Sequence, residues 1–125
     1  MSRRILAVVD DMFFASKIRA TAEAVGVEIS FIRSNEALLQ KALETKPDLI
    51  LVDLHNQRLN PVELGVELKS DDSLNEIPLL GFFSHVDSEL QRSALGAGYN
   101  KVLPRSLFSR DLAERVTPMR RPRRS

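Results

Sequence analysis

The chain has 125 residues, 43% of them hydrophobic, which suits one domain with enough apolar material for a sizeable core. It has no cysteine, which excludes disulfides, thiolate nucleophiles and cysteine-based zinc sites and makes a cytoplasmic setting the expectation. The net charge of +1 is unevenly spread: Arg120, Arg121, Arg123 and Arg124 crowd the C-terminus and leave the rest of the chain mildly acidic.

Residues 5–9 (Ile-Leu-Ala-Val-Val) form a continuous apolar run closed by Asp10 and Asp11. Such a run reads as a strand covered on both faces, and it is too short for a signal peptide or a membrane span. Phe14, Ile18, Ala22 and Val25 then recur at helical spacing and stop at Gly26. Across 27–32 the apolar Val27, Ile29 and Phe31 alternate with neighbours of other types, as in a strand nearer a sheet edge. Leu38, Leu39, Ala42 and Leu43 mark a second helix that ends before Pro47. A third strand, 48–52, is apolar through Leu49-Ile50-Leu51-Val52 and is closed by Asp53.

Asn60-Pro61-Val62-Glu63 has the form of an N-cap, a first-turn proline and a capping glutamate. It opens a helix to about residue 69 whose buried side is marked by Leu64 and Leu68. A fourth apolar strand spans 77–83, and a helix over about 87–95 packs through Leu90 and Ala94 and stops at Gly96 or Gly98. A short strand at 101–103 precedes a last helix, about 107–116, with Phe108, Leu112 and Val116 on its apolar side. Pro118, Pro122 and the arginines predict a basic disordered tail at 118–125 after a domain spanning 1–117. Strand and helix alternate five times, which predicts an α/β fold with a doubly wound, five-stranded parallel sheet and right-handed crossovers.

In such a sheet the site lies outside the carboxyl ends of the strands, where Asp10, Asp11 and Asp53 stand. Clustered carboxylates stay ionised only if a cation offsets their repulsion, and hard oxygen ligands of this kind suit Mg²⁺. No glycine-rich phosphate loop follows the first strand, and His55 and His85 lie too far apart in sequence for a compact helical metal motif, so a freestanding enzyme is not expected. No helix-turn-helix segment is evident, and direct DNA binding is not expected.

These residues resemble the receiver domain of two-component response regulators, a flavodoxin-like, chemotaxis-regulator-like (βα)5 fold. The resemblance is carried by Ile5-Leu6-Ala7-Val8-Val9-Asp10-Asp11, by Pro47-Asp48-Leu49-Ile50-Leu51-Val52-Asp53-Leu54, by Ile77-Pro78-Leu79-Leu80, and by Ala97-Gly98 before Val102-Leu103. It implies that Asp53 is the phosphoacceptor, that Asp10, Asp11, Asp53 and the backbone carbonyl of His55 hold Mg²⁺, and that a histidine kinase or phosphotransfer protein supplies the phosphoryl group. A downstream protein target is implied, and a homodimer through the fourth helix, fifth strand and fifth helix is one expected state, although Val102 and Ser106 alter that face.

The chain departs from the family pattern where a signal would be read. Phe83 stands where the family has a Thr or Ser hydroxyl, and the adjacent Ser84 could contact phosphate only if the strand end shifted. Val102 replaces the aromatic switch residue, Arg105 the lysine, Ser106 the following proline, Gln57 a loop proline and Pro61 a glycine. Arg105 keeps a charge that can contact phosphate or pair with a pocket aspartate. Two functions are therefore expected of this sequence: a single-domain, Mg²⁺-dependent receiver phosphorylated on Asp53, or a pseudo-receiver acting as a phosphorylation-independent interaction module.

Overall fold

In the computed structural model, residues 3–56, 60–84 and 86–105 are described. Nine elements alternate along them: β1 (Arg3–Val8), α1 (Met12–Ala24), β2 (Val27–Phe31), α2 (Asn35–Thr45), β3 (Leu49–Asp53), α3 (Pro61–Ser70), β4 (Leu79–Phe83), α4 (Ser88–Ala97) and β5 (Lys101–Pro104). The helix expected over 107–116 and the tail at 118–125 lie outside the described residues.

All strand pairs are parallel, in the order β2-β1-β3-β4-β5. The continuous apolar runs occupy the three interior positions and the alternating 27–31 segment an edge, because only interior strands have both faces and both sides covered. Successive side chains point to opposite faces, so β1 divides its residues between two cores. Leu6 and Val8 join Ile50, Val52, Leu38, Leu64, Leu68 and Ala94, under α2, α3 and α4. Ile5 and Ala7 join Leu51, Leu80 and Phe82 with Phe14, Ile18 and Ala22 of α1 on the other face.

Strand limits differ by a residue or two from the sequence reading. β4 starts at Leu79 rather than 77, because the Ile77 N–H bonds back to the Leu74 carbonyl and Pro78 has no N–H to donate. The expected inward Leu43 of α2 is instead about half exposed, while Leu38 and Ala42 are buried. Each of α1 to α4 begins with a side-chain cap: Asp11, Ser34, Asn60 and Asp87 accept backbone N–H bonds from the first turns. At the far end of α4, Gly98 takes φ 114°, and a Cβ there would run into the stem of Lys69.

Candidate functional site

The strand order reverses between β1 and β3, which opens a crevice at their carboxyl ends. β3 ends on Asp53, paired in register with Phe82, while β1 ends two residues before Asp10. Asp53 is 6% exposed. Its Oδ1 accepts the His55 N–H at 3.0 Å and its Oδ2 the Asp10 N–H at 3.4 Å. Burial pushes the Asp53 carboxyl above its usual range; the two backbone bonds pull the other way, and the nearby Asp10 charge pushes it up further.

Asp11 faces a different set of partners. Its Oδ1 caps α1, accepting the N–H groups of Phe13 at 2.9 Å and Phe14 at 3.2 Å. Its Oδ2 takes a 2.7 Å bond from the Arg105 guanidinium, which follows β5. The Arg105 bond is the main reason the Asp11 carboxyl is held below its usual range, with the Phe14 N–H next. The same guanidinium lies 4.2 Å from the centre of the Phe14 ring. That ring is buried and meets Phe82 edge-on at 5.0 Å.

The structure thus brings Asp10 beside Asp53 and Arg105 onto Asp11. As arranged, the donors do not fit a three-carboxylate metal site. Both Asp11 oxygens are committed to other donors, and among the described residues no three carboxylate or imidazole groups gather to hold a cation. His55 stands in the turn after β3, and its N–H is directed at Asp53. A cleft of about 400 Å³ opens on the β2 side of Asp10, lined by Val9, Ser16, Arg19, Phe31, Arg33 and Asn56 among others, and neither Asp53 nor Arg105 contributes to its wall.

At the readout positions, β4 runs through Phe83 without a slip, in register with Pro104, and Phe83 is buried while Ser84 lies exposed beyond the strand end. Val102 is partly buried against the core on the α2–α4 face. Two residues take part in ways their sequence pattern does not indicate. Phe14, three positions after Asp11, lies on the face of the helix start where its ring supports Arg105. Tyr99, the only tyrosine, is 3% exposed, and its hydroxyl donates to the Pro61 carbonyl at 2.8 Å. A Cβ on Gly65 would come within 2.8 Å of this ring, and one on Gly81 within 3.0 Å.

No family model matches the chain. Over 83 residues, 66% of this chain, it is 32% identical to the response regulator protein VraR of Staphylococcus aureus, and it spans 39% of the length of that relative. A putative response regulator from Chloroflexus aurantiacus superimposes with TM-score 0.82 and 22% identity, covering 93% of this chain and 95% of that one. The receiver domain of the sensor histidine kinase PA1611 from Pseudomonas aeruginosa, solved with a magnesium ion in its active-site cleft, gives TM-score 0.75 and 19% identity over 93% of this chain and 98% of that one. In fold the chain matches the receiver domains of response regulators, and in sequence it is similar to part of a response regulator.

Proposed function

We propose that the protein acts in two-component signalling as a phosphoryl-accepting receiver, with Asp53 as the acceptor. A histidine kinase or phosphotransfer protein is the donor and a protein target the recipient of the signal. The observation that carries this reading is the setting of Asp53. Its carboxylate stands at the switch point of the sheet, buried, with both oxygens oriented by backbone N–H groups.

An Asp53 oxygen would attack phosphorus as the bond from phosphorus to the donor breaks, and the donor would leave with that electron pair. The His55 and Asp10 N–H groups hold the carboxylate orientation, while burial limits water at the acyl phosphate. Mg²⁺, the expected cofactor, would find Asp10, Asp53 and the His55 carbonyl more available than Asp11, and no step here depends on it. The protein is modified once rather than turning over a substrate. Its setting is the cytoplasm; no described helix is long and apolar enough to cross a membrane. Ser84, exposed at the end of β4, is proposed to meet the phosphoryl oxygens, and Arg105 to do so only on leaving Asp11. Homodimerisation is part of this reading, and direct DNA contact is not.

A second reading, a pseudo-receiver working as an interaction module, is favoured by the Arg105–Asp11 pair and by buried Phe83 at the hydroxyl position. Intact mass after incubation with acetyl phosphate and Mg²⁺ separates the two. The first reading expects the wild type, and not Asp53→Asn, to gain the mass of one phosphoryl group. No gain in either protein, from acetyl phosphate or from a phosphorylated kinase, favours the second.

A further inference from the structure

The Arg105–Asp11 contact is built from two sides. On one, the guanidinium makes a short charge-assisted bond at 2.7 Å to a carboxylate whose other oxygen is tied into the cap of α1. On the other, it lies against the face of Phe14, 4.2 Å from the ring centre, and that ring is itself held by Phe82. The flat guanidinium can make both contacts at once, and desolvation by the ring strengthens the cation–π attraction. The side chains are also only partly exposed, 30% for Arg105 and 37% for Asp11, so water competes for the pair less than at an open surface.

We infer that Arg105 is the resident cation of this acidic crevice, occupying with its guanidinium the charge-compensating role that a divalent metal would fill at Asp11. Three consequences follow from the geometry. A metal seeking Asp11 must break a short ionic bond, leave the displaced guanidinium nearby as a like charge, and accept a carboxylate with one oxygen already spent on backbone. Asp10 and Asp53 alone form a poorer cage. Mg²⁺ therefore binds the wild-type protein weakly, and the weakness resides in Arg105. The inference stands whether or not Asp53 accepts a phosphoryl group.

The test compares Mg²⁺ binding by isothermal titration and by thermal shift in the wild type and in Arg105→Gln. The variant should bind Mg²⁺ at least about tenfold more tightly and, because a ligand stabilises the native state by an amount that grows with the logarithm of its concentration over its dissociation constant, show the larger rise in melting temperature. Equal affinity in the two proteins overturns the inference. Should Arg105→Gln fail to fold, the wild type alone decides it. The Arg105 Nη2–H resonances, the ones bonded to Asp11, should be protected from exchange and stay unmoved on addition of Mg²⁺ at about 10 mM, a concentration that would saturate an ordinary millimolar site. Movement of those resonances, with saturation, would show that the metal displaces the guanidinium readily and would overturn the inference.

Discussion

At the scale of single residues, Asp53 and Asp11 are carboxylates in neighbouring turns with opposite electrostatics. Asp53 is buried beside Asp10, so its folded-state carboxyl titrates above the unfolded value; Asp11 is bonded to Arg105 and two N–H groups, so it titrates below. The signs follow from proton binding. Above its unfolded pKa, Asp11 contributes stability that is lost as pH falls through its depressed folded value. Asp53 does the reverse: between the unfolded value of 3.8 and its raised folded value the native state holds more protons, so its contribution falls as pH rises. Asp53→Asn removes this dependence. The melting temperature of the variant minus that of the wild type should therefore become more positive as pH rises from about 4 to 7. Thermal unfolding across that range checks it; a difference that stays flat or falls would show that the N–H bonds outweigh burial.

At the scale of elements, Tyr99 joins three of them. Its residue precedes β5, its ring fills the room left by Gly65 on α3 and Gly81 on β4, and its hydroxyl holds the carbonyl of Pro61 at the first turn of α3. The first turn of α3 is thus fastened to the residue that leads into β5. Tyr99→Phe leaves the ring and deletes the bond, and it should cost about 1 kcal/mol in chemical denaturation. Gly65→Ala places a methyl against the ring, which is packed and cannot retreat, and should cost about 1–3 kcal/mol. If Tyr99→Phe were neutral, the hydroxyl would be a passenger on an apolar contact. A parallel role at the other end of α3 falls to Lys69, whose ammonium donates to the carbonyls of Asn75 and Ile77 and to Asn100 Oδ1, tying the loop between α3 and β4 to the approach to β5.

At the scale of the whole molecule, a charge added at Asp53 moves a distant surface only if two arrangements of the intervening residues differ in their affinity for it. Phe83 is buried and carries no hydroxyl; Val102 is packed against the core and carries no ring that could exchange between positions. The start of α3, which follows Asp53 in the chain, is instead fastened through the Pro61 carbonyl to Tyr99. Amide shifts on phosphorylation should accordingly concentrate at Leu54, His55, Asn56, Asn60 to Glu63 and Tyr99. Those of Val102 and of Leu95, exposed on α4, should change little. Backbone NMR before and after treatment with a phosphodonor reads this directly, and large changes at Val102 and Leu95 would restore an ordinary switch through Ser84.

Local pattern was enough to determine the architecture. The apolar runs before Asp10 and Asp53 can be satisfied only inside a parallel sheet, and Asn60-Pro61 with Glu63 specifies a helix start whose cap bond forms at 3.2 Å. The placement of the carboxylates at adjacent strand ends follows from the same pattern, because strand order in an alternating α/β chain brings β1 and β3 together. What each carboxylate does there was decided by tertiary structure. Asp11 and Arg105 are separated by most of the chain, and nothing in either local sequence states that the guanidinium descends onto Asp11 and Phe14 instead of Asp53. Leu43 obeyed helical periodicity and still faces outward, because the packing neighbours of a helix, and not its period, set which flank of the apolar stripe is covered. Tyr99 likewise gained its place from two glycines remote in sequence, whose missing side chains make a space that only the assembled sheet and helices define.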